Sequence, residues 1–136
     1  MASFTNKNLN RIYLALAVLC LCLSANLASA QSVKLSADEI TKLLTGNTAV
    51  GKWQGANYRQ FFNSDGTTIY AQEGSRSSLG KWRVDSSRDE YQSIWPSDED
   101  WEGWYVMEYS GAYYWVSKAT PPTPFRVEAG QNLIKP

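Results

Sequence analysis

The side chains of this sequence that could do chemistry are concentrated in one acidic segment, residues 97–103. Asp98, Asp100 and Glu102 are two positions apart, so an extended loop would point their three carboxylates in one direction. Carboxylates of this kind are calcium ligands, but an EF-hand loop would have a glutamate where this chain has Tyr109. We predict a solvated acidic loop, with these three residues as the candidate metal ligands and no metal or other cofactor bound.

Three tryptophans, Trp95, Trp101 and Trp104, flank these acids. Indole rings beside carboxylates can hold a sugar, and two carboxylates can form the catalytic pair of a glycosidase. Such a pair needs two different environments, whereas the acids of one hydrophilic loop share the same one. We therefore predict that the protein is not an enzyme, and a carbohydrate-binding or glycoside-active protein is the least favoured alternative.

The first 30 residues have the pattern of a secretory signal peptide. Lys7 and Arg11 precede an apolar run over residues 12–23, and residues 28–30, Ala-Ser-Ala, form a small-residue cleavage site. We expect the mature protein to comprise residues 31–136 and to be periplasmic or secreted. It should have no membrane span after cleavage, since no later stretch is apolar enough to cross a bilayer.

Cleavage would also remove both cysteines, Cys20 and Cys22, and the chain has no histidine. Nucleophile–histidine triads, catalytic cysteines and ordinary zinc or copper sites are thereby excluded within one mature chain. The remaining 11 basic and 13 acidic side chains give a formal charge of −2, which attracts neither nucleic acid nor an anionic membrane. The 106 mature residues suit a single domain, monomeric or weakly dimeric.

A short helix is predicted over residues 37–45. Ser36 can serve as its N-cap and Glu39 can complete a capping box. Ile40, Leu43 and Leu44 would form a narrow apolar stripe along it. So short a helix is not stable alone, and we expect it to cover one end of a barrel.

From about residue 52 to about residue 128 the hydrophobic pattern has period two, with turn residues between the runs. The pattern predicts an all-β fold, an antiparallel meander of about seven to eight short strands that forms a small barrel or sandwich. In one strand, Gly80, Trp82 and Val84 should point inward. Gly-Lys-Trp occurs at residues 51–53 and again at 80–82, which indicates a shared solution for entering a strand.

Residues 103–118 give the strongest hairpin signal, with Ser110-Gly111 as a two-residue turn. One face of this hairpin is predicted to be core and carries Tyr105, Met107, Tyr109, Tyr114 and Val116. The other face is predicted to bind a partner or ligand, with Trp101 at its edge, and carries Trp104, Glu108, Tyr113 and Trp115. If the helix stripe covers this second face, it would instead be ordinary core.

These observations favour an exported, non-enzymatic binding domain. Its partner would be a protein in the cell envelope or outside the cell, which it could act on as an inhibitor. The alternative is a lipocalin-like carrier of a small apolar ligand. Exposed aromatic side chains on a flat outer wall would favour the protein partner, and a closed aromatic cavity would favour the carrier.

The chain resembles a family of small exported bacterial β-proteins that has no assigned activity. The resemblance lies in residues 44–48 (Leu-Thr-Gly-Asn-Thr), 51–53, 58–62, 65–67, 80–84 and 91–95. It implies a cysteine pair near the positions of Gln92 and Gly103, which this chain lacks.

A second resemblance is to the calycins, the lipocalin, avidin and metalloprotease-inhibitor barrels, which also enter their first strand through Gly-x-Trp after a short helix. This resemblance implies that a basic residue of the last strand, here Arg126, stacks on the tryptophan of the first, here Trp53.

Overall fold

Nine strands and one helix make up the computed structural model of the protein, which describes residues 30–133. The elements in chain order are β1 (Val33–Lys34), α1 (Ala37–Leu44), β2 (Asn47–Trp53), β3 (Ala56–Phe62), β4 (Thr67–Gln72), β5 (Ser78–Asp85), β6 (Glu90–Ile94), β7 (Glu102–Tyr109), β8 (Ala112–Val116) and β9 (Thr123–Ala129). Except for Ala30, the predicted signal peptide lies outside the described residues. No helix within residues 30–133 combines the length and the apolarity that a bilayer crossing requires.

The strands form a closed antiparallel barrel. Each strand from β2 to β8 pairs with the next one along the chain, and β9 returns to pair with β2. In that closing pair Ala49 lies opposite Val127 and Gly51 lies opposite Phe125. The short strand β1 adds to β7 beyond the end of its pairing with β6. The prediction of an all-β meander with one short helix is therefore confirmed, and the sheet closes as a barrel of eight strands instead of a sandwich.

Helix α1 begins with the predicted capping box. The Ser36 hydroxyl accepts a hydrogen bond from the Glu39 backbone N–H at 3.3 Å, and the Glu39 carboxylate accepts one from the Ser36 N–H at 2.8 Å. Ile40 and Leu44 are completely buried and join the barrel core, and the helix contacts the walls of β2, β5 and β6. The helix covers one end of the barrel, because its apolar stripe is buried only when it faces the interior.

The end of the barrel under the helix is filled by large apolar side chains. Phe62 lies at its centre and packs edge-on against Trp82 at 5.4 Å and against Tyr91 at 5.6 Å between ring centroids. Trp115 stacks on Phe125 at 4.1 Å. Buried Gly80 and Trp82 point inward as predicted. The full core cluster comprises Leu35, Ile40, Leu44, Ala49, Phe62, Trp82, Tyr91, Val106, Trp115 and Phe125.

The β7–β8 hairpin has the predicted turn and register but the opposite orientation. Ser110 and Gly111 both have positive φ, and Tyr109 lies opposite Ala112. The prediction that the face of Tyr105, Met107, Tyr109, Tyr114 and Val116 is core is wrong, because Val106 and Trp115 on the other face are the buried residues and Tyr109 is 46% exposed. Alternation defines two faces, but both are aromatic here, so the pattern alone did not indicate which one the barrel encloses.

The stacking of Arg126 on Trp53 that the calycin resemblance implied is also wrong. Arg126 lies opposite Val50 on the outer wall, where its guanidinium is 2.9 Å from the Glu128 carboxylate. Trp53 points into the barrel and meets Trp104 edge-on at 5.6 Å. The two side chains lie on opposite sides of the wall, since odd and even positions of paired strands face opposite ways.

A matched pair of valines tests the orientation of the hairpin. Val106→Ala removes two methyl groups from a fully buried site and should lower the free energy of unfolding by about 2–3 kcal/mol. Val116→Ala makes the same change on the outer face and should cost less than about 1 kcal/mol. Urea unfolding of both variants measures the difference. A larger cost at Val116 would show that the face carrying Val116 is the core face, as predicted from the sequence.

Candidate ligand-binding cavity

The half of the barrel remote from the helix encloses a cavity of about 410 Å³. Inward residues of single strands divide between the two halves: β2 gives Ala49 to the core and Trp53 to the cavity, and β3 gives Phe62 to the core and Tyr58 to the cavity. Exposed Ser78 is among the lining residues, so the cavity reaches solvent. Its volume lies within the range of about 300–1,000 Å³ that is usual for small-molecule sites.

The wall of the cavity is mainly aromatic, with polar groups set between the rings. The aromatic lining residues are Trp53, Tyr58, Tyr70, Tyr91, Trp95, Trp104 and Trp115. The polar lining residues are Gln54, Gln60, Gln72, Ser78, Ser93 and Glu102. An apolar cavity with a few convergent polar groups is the usual composition of a site for a small organic molecule.

Two glycines make room for rings of this wall. A Cβ atom at Gly80 would lie 2.6 Å from Cε3 of Trp95, and one at Gly51 would lie 3.1 Å from the Tyr58 hydroxyl oxygen. These glycines begin the two Gly-Lys-Trp tripeptides, although both lie within their strands and not at the first residue. The glycine of each tripeptide thus lets an aromatic ring approach the backbone closely, at two places in the cavity wall.

The inner end of the cavity is held by hydrogen bonds between side chains. Trp115 Nε1 donates to the Tyr58 hydroxyl at 2.9 Å. Gln60 Nε2 donates to the Tyr91 hydroxyl at 2.9 Å and to the Thr68 hydroxyl at 3.0 Å. The Tyr58 hydroxyl has a donor but no acceptor among the described side chains, so its hydrogen remains available to a ligand.

The tyrosines of the cavity remain neutral at physiological pH. Burial raises the pKa of Tyr91 to about 12, although hydrogen bonds from Ser93 and Gln60 oppose the shift. Burial likewise raises the pKa of Tyr70 to about 12, and it raises the pKa of Tyr58 further. These phenols therefore offer hydrogen bonds to a ligand without offering a negative charge.

The five residues predicted to bind a partner do not form one outer wall. Trp104 and Trp115 line the cavity, and Trp115 also belongs to the core. Tyr113 packs against the core, 5.7 Å from Phe125. Trp101 lies outside the barrel, with the Arg83 guanidinium 4.1 Å from its ring centroid. Glu108 lies on β7 opposite Val33 and Tyr113. The face predicted to bind a partner or ligand is thus enclosed by the barrel, with Trp104 and Trp115 at the cavity and Tyr113 beside the core.

The three candidate metal ligands also separate. The Asp98 carboxylate accepts a hydrogen bond from the Trp95 backbone N–H at 2.9 Å and so closes the turn after β6. Asp100 is exposed in the loop, while Glu102 lines the cavity. No group of three or more His, Cys, Asp or Glu side chains within residues 30–133 lies close enough together to hold a metal ion.

Sequence reasoning missed the part of the cavity formed by β3 and β4. Each of these strands contributes one aromatic ring and one amide to the cavity wall. The residues are Tyr58 and Gln60 on β3, and Tyr70 and Gln72 on β4. The signal was present, since Tyr58, Gln60 and Phe62 alternate with residues of the outer wall. Glutamine is mostly found exposed, and Gln60 and Gln72 at inward positions distinguish this part of the wall from the apolar core cluster.

In comparisons with known proteins, the chain matches no family model, no curated protein and no solved structure. The closed barrel is compatible with a calycin-like fold.

Alkaline pH should destabilise the barrel through the cavity tyrosines. An unfolded chain releases tyrosine protons near pH 10, whereas the folded barrel holds those of Tyr70 and Tyr91 to about pH 12. The stabilisation is therefore fully present below about pH 10 and should be lost as the pH rises towards about 12. Urea unfolding across this range measures the loss. Tyr70→Phe should reduce the loss of stability at high pH, whereas Tyr109→Phe, at an exposed position, should not. Equal effects of the two substitutions would contradict the role given to the cavity tyrosines.

A substitution at Gly80, the glycine that lies against Trp95, should disturb the cavity more than a substitution at a glycine outside it. Gly80→Ala must displace the Trp95 ring and should lower the free energy of unfolding by roughly 1–3 kcal/mol, with a changed near-ultraviolet circular dichroism spectrum. Gly103→Ala is the matched control, because the atoms nearest to its Cβ would be those of the flexible Glu90 side chain. Equal effects of the two substitutions would show that Trp95 is not held against Gly80.

Proposed function

We propose that this protein is an exported, non-enzymatic carrier that binds a small organic molecule with an apolar or aromatic body inside its barrel. The observation that carries the proposal is the aromatic cavity of about 410 Å³, which side chains leave open in the half of the barrel away from the helix. An eight-stranded barrel can be filled completely by its own side chains. Here the filling is complete only beneath α1, and space for a ligand remains beyond it.

The cavity is also held in shape before any ligand enters. The Trp115–Tyr58 hydrogen bond fixes two of its rings, and Gly51 and Gly80 let Tyr58 and Trp95 lie against the wall. Tyr58 and Tyr70 stack on each other with centroids 5.2 Å apart. Rings held in place lose little conformational freedom on binding, which favours affinity.

A catalytic role receives no support from the cavity lining. Glu102 is the one carboxylate among the lining residues, whereas a glycosidase requires two carboxyl groups on either side of the bond that it cleaves. The sequence has no histidine to act as a general base. Binding without chemistry is therefore the simpler function for this group of residues.

The proposal also covers the cell compartment of the protein and the family to which it belongs. The signal peptide predicted for residues 1–30 would place the carrier in the periplasm or outside the cell. Membership of a calycin-like group of ligand carriers, or of the small exported bacterial family that the sequence resembles, is part of the same proposal and is supported by the closed eight-stranded barrel.

A protein partner is the second candidate, and it would use a different surface from the one predicted. The outer face of the β7–β8 hairpin carries Tyr105, Tyr109 and Tyr114, of which Tyr109 is 46% exposed. Nearby Val33 on β1 is 55% exposed. These outward aromatic residues, and not Trp104, Tyr113 or Trp115, would contact such a partner, including one that the protein inhibits.

Two measurements test the carrier proposal. Native mass spectrometry of the protein purified from its own cell envelope should show an added mass of a small molecule. Titration with a neutral naphthylamine dye should give saturable binding that Ser78→Trp, at the mouth of the cavity, weakens by at least about tenfold, or ~1.4 kcal/mol. Ser75→Trp is the matched control, because Ser75 is exposed but does not line the cavity.

Other outcomes would contradict the proposal. Dye binding that is absent, or that survives Ser78→Trp undiminished, would place any binding outside the cavity. A co-purifying polypeptide that is lost on Tyr109→Ser, with no small molecule bound, would favour the protein partner instead.

A further inference from the structure

The charge carried by the cavity lining is negative. Among the thirteen lining residues, Glu102 is the one with a charged side chain, and neither lysine nor arginine is present. The basic residues of the neighbouring strands, such as Lys52, Lys81 and Arg83, are on the outer wall and exposed or partly exposed. An anionic ligand would therefore find a like charge and no cation inside the barrel.

Glu102 faces the interior. It lies opposite Ser93, which is 4% exposed and lines the cavity, and it is two positions from Trp104 on the same side of β7. Its negative charge also contributes to the raised pKa of Tyr91 at the inner end. Glu102 thus borders the cavity and is also exposed to solvent, which places it at the mouth.

Within residues 30–133, no side chain forms an ion pair with Glu102 or a hydrogen bond to its carboxylate. Other carboxylates of the barrel are engaged: Glu128 with Arg59 and Arg126, and Asp98 with the backbone of Trp95. A carboxylate at the mouth of an aromatic cavity that has no partner of its own can pair with a charge on the ligand.

Two pairs of rings that line the cavity together with Glu102 meet edge to face. Trp53 and Trp104 are 5.6 Å apart with an interplanar angle of 84°, and Tyr70 and Trp95 are 6.0 Å apart at 72°. In each pair the edge of one ring contacts the face of the other, so rings of two orientations line the cavity. The face of an aromatic ring is its electronegative side and attracts cations.

On the proposal that the cavity binds a small molecule, we infer that this molecule is an organic cation. Its positively charged nitrogen would lie among Trp53, Trp95, Trp104 and the Glu102 carboxylate at the mouth, and its apolar body would extend toward Tyr58. Aromatic rings together with one carboxylate are a known arrangement for quaternary and other organic ammonium groups. The hydroxyl hydrogen of Tyr58 would serve an acceptor on the body of the ligand.

Two probes of equal shape test this inference in the full chain. Benzyltrimethylammonium and its uncharged isostere neopentylbenzene differ only in the charged nitrogen, and each is titrated in competition with the neutral naphthylamine dye. We expect the cation to bind at least about tenfold more tightly than the isostere, and this preference to diminish as the salt concentration rises. Glu102→Gln keeps the size of the side chain and removes its charge, so it should remove most of the preference for the cation over the isostere. Glu99→Gln, an exposed acid outside the cavity, is the matched control and should leave the preference unchanged.

The result separates the inference from the proposed function. If the dye binds but the two probes compete equally, or a methyl glycoside competes better than the cation, the inference is overturned and the carrier proposal remains. If the preference is unchanged in Glu102→Gln, or does not respond to salt, the carboxylate has no role in it and the inference is likewise overturned. If neither dye nor probe binds, the carrier proposal itself fails.

Discussion

The pairing of β9 with β2 is the constraint on which the rest of the structure depends. It satisfies the backbone groups of two strands that would otherwise be open edges, and it turns a meander into a closed barrel. Closure also gives every strand one enclosed face and one outer face. Once Gly51 lies opposite Phe125 in that pairing, the inward positions of both strands are set, and through them those of the neighbouring strands.

The enclosed space is filled unequally, and the difference comes from residue type. Beneath α1 the inward positions carry apolar residues such as Phe62 and Val106, which belong with Ile40 of the helix to one buried cluster. In the other half the inward positions carry rings separated by amides and hydroxyls. Glutamine and serine do not fill space between aromatic rings as aliphatic side chains do, so the second half remains open.

Polar groups enclosed in the open half are satisfied by one another. Gln60 bridges the hydroxyls of Thr68 and Tyr91, and Trp115 donates to Tyr58. Within the described residues, no fully buried side-chain nitrogen or oxygen lacks a hydrogen-bond partner. A wall that is both polar and satisfied holds its shape without a ligand, whereas unpaired groups would favour collapse or rearrangement. The arrangement of Glu102 differs, because this carboxylate keeps access to solvent and has no partner within the described barrel.

The sequence by itself determined the local structure of this protein. Ser36 and Glu39 specified the start of the helix, Ser110-Gly111 specified the hairpin turn and its register, and the period-two pattern specified the strands, because each of these depends on residues near one another in the chain. Tertiary structure alone decided which face of the hairpin is enclosed, since both faces are aromatic and only closure between β9 and β2 gives one of them to the interior. It also decided the candidate site. The cavity combines rings and amides from β2 to β8, and they converge only because β9 pairs with β2, a strand far from it in sequence, which no local pattern encodes.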